Sequence, residues 1–138
     1  MDECKLEHVG LIVSDIEKSA QFYKNNFGFS EVKSFSKPDL EIKGLIMTLG
    51  DSAIELLEPY SKEDIQKGIQ ENIEDKKSLK GLFKKIASCH IALSVPDINS
   101  AYQRIKENNN TRATEIIEGG YFFCRDPDNI LLEVRQRK

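Results

Sequence analysis

The sequence predicts an α+β fold built from two tandem βαβββ modules, and three observations carry that prediction. HVGLIVSDIEKSAQFYKNN (residues 8–26) lies over HIALSVPDINSAYQRIKEN (90–108), with His8/His90, Leu11/Leu93, Val13/Val95, Asp15/Asp97, Ile16/Ile98, Gln21/Gln103, Lys24/Lys106 and Asn26/Asn108 in register. Such an internal repeat marks one supersecondary unit used twice. In both copies a short apolar run gives way to apolar residues at helical spacing, and three extended runs follow.

The elements follow in order. The first strand is expected near residues 6–13. Ser14, with Glu17 three residues on, has the form of a capping box that starts a helix. Ile16, Ala20, Phe22, Tyr23 and Phe27 recur at helical spacing, and Asn25, Asn26 and Gly28 end that helix. Strands are then expected near 29–36, 42–49 and 52–58, with Gly50-Asp51 as a hairpin turn. In the second copy a strand near 89–95 breaks at Pro96. A helix carrying Ile98, Ala101, Tyr102 and Ile105 ends at Asn108–Asn110. Strands near 113–118, 120–125 and 130–136 complete it, with a turn at Asp126-Pro127-Asp128-Asn129. One domain over 1–138 results: module one 4–59, a helical connector 60–87 and module two 88–138. In the connector Ile65, Ile69 and Ile73 are spaced for an amphipathic helix, and a second helical turn is expected around Leu79–Ile86.

Composition bounds the function. The chain has 138 residues, a net charge of −3 and 31% charged residues, so neither the basic face of a nucleic-acid binder nor a membrane-spanning run is present. The start, MDECKLEHVG, places acids before any apolar run and does not read as a signal peptide. Three cysteines, Cys4, Cys89 and Cys124, lack CxxC spacing and fit a reducing, cytoplasmic location better than a disulfide framework. Cys89 and His90, being adjacent on a strand, are expected on opposite faces. Lys76, Lys77, Lys80, Lys84 and Lys85 read as a solvated helix face.

The chain has only two histidines, and they occupy equivalent repeat positions. Strand alternation sends Val9, Leu11 and Val13 one way and His8, Gly10 and Ile12 the other. Likewise Ile91, Leu93 and Val95 oppose His90, Ala92 and Ser94. On the last strand of each module Glu55 and Glu133 face away from their apolar neighbours, Ile54 and Leu56 in one and Leu132 and Val134 in the other. A carboxylate bracketed by apolar residues is costly unless paired or metal-bound. A lone core histidine or strand glutamate is ordinarily structural, but two matched pairs point to a shared purpose. If the sheets curl toward each other, His8, Glu55, His90 and Glu133 converge into a set suited to a divalent transition metal. Zn, Ni or Co come first, with Fe or Mn also compatible. Four ligands on a six-coordinate ion leave two positions for substrate oxygens. Glu58 reads as an edge or solvent carboxylate, and Asp126 and Asp128 as turn residues.

The motifs HVGLIV, AIELLEP, HIALSV and ILLEV in paired βαβββ units resemble the vicinal oxygen chelate (glyoxalase/bleomycin resistance/extradiol dioxygenase) superfamily, especially its glyoxalase I-like and methylmalonyl-CoA epimerase-like members. The resemblance implies curved mixed sheets around a central metal and substrate cavity. It also implies His8, Glu55, His90 and Glu133 as metal ligands. The implied activity is that of a lactoylglutathione lyase-type lyase or isomerase, moving a proton next to a carbonyl through a metal-stabilised enediolate. Glu133 is then expected to be the base, loosening from the metal, while Glu55 serves the opposite face or stays a ligand. The implied substrate is a thiol hemithioacetal or a CoA thioester, and the implied assembly a homodimer. The alternatives are an epimerase of the methylmalonyl-CoA type, a non-catalytic binding or resistance protein, and an Fe(II) dioxygenase.

Overall fold

A computed structural model describes residues 3–63, 65, 73, 75–107 and 113–138. The chain forms two compact units, Met1–Ile65 and Gln66–Lys138.

In the first unit the strand β1 (Val9–Ile12) leads into helix α1 (Ile16–Phe27). Strands β2 (Ser30–Lys37), β3 (Ile42–Leu49) and β4 (Ser52–Pro59) follow, with a 3-10 turn at Pro38–Leu40 between β2 and β3. The sheet order is β1-β4-β3-β2; β1 runs parallel to β4 and the other pairs are antiparallel. Asp15, not Ser14, caps α1, its Oδ1 accepting from the N–H groups of Glu17 and Lys18 at 3.0 and 3.3 Å. The shift by one residue has a simple cause. Asp15 holds the extended cap conformation, φ −154° and ψ 105°, and its short carboxylate reaches two of the orphan donors at once. Gly28 closes the helix at φ 80°, where a side chain would strain the backbone. Ala20, Phe22 and Tyr23 of α1 are buried, as are Leu11, Leu45, Met47, Ile54 and Leu56 of the sheet. Each large apolar side chain removed from water contributes roughly 1.5–3 kcal/mol.

Among the described residues, the first element of the second unit is helix α2 (Lys76–Leu82), capped by Asp75, whose Oδ1 accepts from Ser78 N–H at 2.8 Å. The helix expected through Ile65, Ile69 and Ile73 lies for the most part outside the described residues, as do Asn108–Asn110. Strand β5 (Ile91–Val95) leads into α3 (Ile98–Glu107), then β6 (Tyr121–Arg125) and β7 (Leu131–Gln136). The order is β5-β7-β6, with β5 parallel and β6 antiparallel to β7. Asp97 repeats the role of Asp15 at the start of α3, accepting from Asn99 and Ser100 N–H groups at 3.0 and 3.4 Å.

The strand expected near 113–118 is reduced to two isolated bridges, Ala113 with Cys124 and Ile117 with Tyr121. Two local features account for this. The Thr114 hydroxyl accepts from Phe123 N–H at 3.0 Å, taking a donor that a ladder carbonyl would otherwise use. Gly119 and Gly120 then turn the chain back at φ 106° and 81°. The Asp126–Asn129 turn is as expected: Asp126 Oδ1 accepts from Asp128 and Ile130 N–H groups at 2.8 and 2.9 Å, and Asn129 holds φ 65°. No helix among the described residues is long and apolar enough to cross a membrane.

Candidate metal centre

Each unit brings one histidine to one glutamate by the same route. In the parallel pair β1/β4, Gly10 stands beside Glu55; in β5/β7, Ala92 stands beside Glu133. Each histidine lies two residues before that small partner, just ahead of the paired segment, and so on the same face as the glutamate. Glycine and alanine leave the space between the two side chains clear. His8 Nε2 is 3.7 Å from Glu55 Oε1, and His90 Nε2 is 3.3 Å from Glu133 Oε1. Both glutamates are well covered, with side chains 20% and 12% exposed, and both histidines are about one-third exposed.

Those separations fit the donors of a divalent ion. Two ligands about 2.1 Å from one ion and at right angles to each other lie roughly 3 Å apart. Imidazole nitrogen and carboxylate oxygen are donors that transition metals accept together. Among the described residues, no group of three or more His, Cys, Asp or Glu gathers in one place. The described geometry is therefore a two-donor pair, occurring once in each unit.

The second pair has neighbours the first does not. Arg135 Nη1 lies 2.5 Å from Glu133 Oε2, and its guanidinium carbon stands 4.8 Å from the centre of the Tyr121 ring, its cross-strand partner. Phe123, opposite Glu133 in the ladder, meets the His90 ring edge-on at 5.7 Å, and Phe83 backs Phe123 at 5.5 Å. Ile73, Leu82, Phe123 and Leu131 form a buried cluster here, so the helical connector contributes Ile73 and Leu82 to the core of this unit. Arg135, Tyr121 and Phe123 were open to sequence reasoning. The alternation that placed Glu133 also places Arg135, two residues on, on the same face.

Glu58 corrects an expectation. It is not an edge or solvent carboxylate: it is buried on the helix-packed face, and its Oε1 accepts from Ile16 N–H, the first residue of α1, at 2.8 Å. Burial pushes its pKa up, but hydrogen bonds from Lys62, Ile16 N–H and Lys43 outweigh that and hold it below the ordinary value. The matching place in the second unit holds Gln136, whose Oε1 accepts from Ile98 N–H at 3.0 Å. Elsewhere, Cys124 is buried and its thiol is pushed up to about 12, by burial first and by Asp126 second, whereas Cys4 and Cys89 are exposed. The five lysines of the 76–85 segment are exposed, in line with a solvated face.

The model of the Glyoxalase/Bleomycin resistance protein/Dioxygenase superfamily matches residues 5–134. The chain belongs to this superfamily. Among its members, human mitochondrial methylmalonyl-CoA epimerase is 26% identical over 140 aligned residues, covering 96% of this chain and 73% of the epimerase. Lactoylglutathione lyase of Salmonella typhimurium is 27% identical over 143, covering 97% and 93%. The fosfomycin resistance protein FosX of Listeria monocytogenes, solved with Mn(II) and sulfate, superposes with a TM-score of 0.67 at 21% identity, covering 99% of this chain and 95% of FosX. The superfamily thus holds enzymes acting on small molecules.

Proposed function

We propose that this superfamily member is a metal-dependent lyase or isomerase of the glyoxalase I type, with His8, Glu55, His90 and Glu133 as ligands of one divalent transition ion. The observation that carries the reading is the duplicated His–Glu pair. The same two donor types recur at the same strand positions, at 3.7 and 3.3 Å. Pairs that merely filled a sheet face would have no need to match. Zn, Ni or Co suit such nitrogen and oxygen donors, and Fe or Mn are also compatible.

A bound ion would supply the positive charge that holds two vicinal substrate oxygens and stabilises the anion left when the α-carbon loses its proton. The chain's own residues do the rest. His8 and His90 act as neutral imidazoles through Nε2. The catalytic carboxylates are Glu133 and Glu55: Glu133 is the base that takes the proton and returns it, and Glu55 serves the opposite face or stays a ligand. The substrate is a thiol hemithioacetal or a CoA thioester, and the working form a homodimer. An acyl-CoA epimerase would use the same four residues, and the likeness to human methylmalonyl-CoA epimerase favours keeping that second reading.

The test joins metal analysis to an activity screen. Purified chain should carry one transition ion, lose activity to a chelator and regain it with Ni or Zn. Methylglyoxal with glutathione should yield the lactoyl thioester; turnover of methylmalonyl-CoA instead would select the epimerase. His90→Ala should abolish metal binding. Full metal retention by that variant refutes the ligand assignment.

A further inference from the structure

Beyond the matched His–Glu pairs, the second unit carries a charge that the first lacks. Two residues past Glu133, and so on the same face of β7, stands Arg135; two residues past Glu55 stands Leu57. Arg135 Nη1 lies 2.5 Å from Glu133 Oε2. Neutralising a covered glutamate does not by itself call for that arginine. Glu55 is nearly as well covered, its side chain 20% exposed against 12% for Glu133, and among the described residues its recorded polar partner is His8. A glutamate at this strand position is thus accommodated without a cation.

The arginine is placed to take a further anion. Its guanidinium lies over the Tyr121 ring, 4.8 Å from the centre, and Tyr121 meets Phe123 edge-on at 6.0 Å. Phe123 in turn meets the His90 ring. The cation is therefore carried on the aromatic side chains of β6 that flank His90 and Glu133, the stacked arrangement that suits arginine and not lysine. A guanidinium has five N–H donors in a planar fork and stays charged at every working pH. Glu133 engages Nη1; among the described residues no other acceptor is recorded for this side chain, which is 48% exposed. Donors remain for a second carboxylate.

We propose that Arg135 is a specificity-determining residue that receives a carboxylate carried by the substrate on or beside its reacting carbon. The proposal rests on the metal-site reading above and leaves Glu133 as the base. It concerns the substituent at the reacting carbon, whichever thiol carries it. Distance sets the placement. One Glu133 oxygen lies 3.3 Å from His90 Nε2 and the other 2.5 Å from Arg135 Nη1. A substrate carbon close enough for Glu133 to deprotonate is therefore a neighbour of the guanidinium too, and a carboxylate about one or two bonds farther along spans the interval. A site built to hydrogen-bond one group rejects the analogue that lacks it, because its own polar atoms are then left unpaired.

The experiment uses the full chain loaded with Zn(II) and isothermal titration with two matched pairs of thiol derivatives. Malonyl-CoA and isovaleryl-CoA end in a carboxylate and in its uncharged isostere, an isopropyl group, on the same carrier. S-carboxymethylglutathione and S-isobutylglutathione repeat that exchange on glutathione. Within a pair the carrier, the metal and the shape are constant, so the ratio of affinities isolates the carboxylate. Wild type should favour the carboxylate in the pair whose carrier it accepts. Arg135→Leu, which copies the first unit at that place, should lower the ratio about 10–100-fold, the weight of one hydrogen bond between charged groups. Arg135→Lys should recover part of it. Thermal unfolding of each variant serves as a folding check. Wild type with no preference in the pair it binds overturns the proposal. So does a folded Arg135→Leu variant that weakens both members equally or neither, since the arginine would then serve Glu133 alone. Wild-type chain that takes up no Zn(II), or binds neither pair, overturns the underlying reading instead.

Discussion

Glu58→Ala should be among the most damaging substitutions outside the candidate centre. The Glu58 carboxylate accepts from Ile16 N–H at 2.8 Å and lies 2.8 Å from Lys62 Nζ and 3.4 Å from Lys43 Nζ. A hydrogen bond to a charged group contributes about 1.5–3 kcal/mol. The two lysines are about half-exposed, so each ion pair adds at most about 1 kcal/mol after screening. The total is about 2–4 kcal/mol, or on the order of 6–12 °C in Tm for a chain of this size. Glu58→Gln keeps the carbonyl acceptor, as Gln136 does in the second unit, and should cost less than half as much. The sign with pH follows from the depressed carboxyl. Its contribution is fully present above the ordinary value of 4.5 and is lost as pH falls through the lower folded value. The gap in Tm between wild type and Glu58→Gln should therefore narrow as the buffer is taken from pH 6 toward pH 3. Circular dichroism melts at each pH supply the measurement. Equal losses for the alanine and glutamine variants, or a gap that widens in acid, would refute the helix-anchor assignment.

Leu56 is fully buried, so Leu56→Ala should cost about 3 kcal/mol by urea unfolding, while Leu6→Ala, at an 87% exposed residue, should change stability little. Thr114→Val removes the acceptor of the buried Phe123 N–H and should cost about 1–3 kcal/mol, with faster amide exchange at Phe123 as its local signature. A thiol reagent at pH 8 should label Cys4 and Cys89 quickly in the native chain and reach Cys124 only on unfolding.

Much of the fold was legible because the repeat supplied two independent readings of each element. The strands at 30–37, 42–49 and 52–59 fall within a residue or two of their expected places, since hairpin turns and period-two alternation specify them locally. The strand expected near 113–118 is reduced to isolated bridges for a reason that period cannot carry: a threonine side chain competes for a ladder donor. Ser14 and Asp15 were equally good cap chemistry on paper, and only the backbone angles at Asp15 decide between them. Glu58 was misread because its partner, the start of α1, lies 42 residues away in sequence.

The candidate centre was legible in its symmetric part and missed in its asymmetric part, and the two have different causes. Duplication preserves whatever both copies need. His8 and His90, Glu55 and Glu133, Asp15 and Asp97 hold matching places in their own units, and a repeat alignment finds such positions. Glu58 and Gln136 show the next level: the contact to the helix start is kept although the charge is not. Arg135 opposite Leu57 is a change that only one copy carries, so the alignment passes over it as mismatch. The difference is nonetheless physical: Glu133 Oε2 has Arg135 Nη1 at 2.5 Å, whereas two residues after Glu55 the first unit places Leu57, whose side chain carries no polar atom.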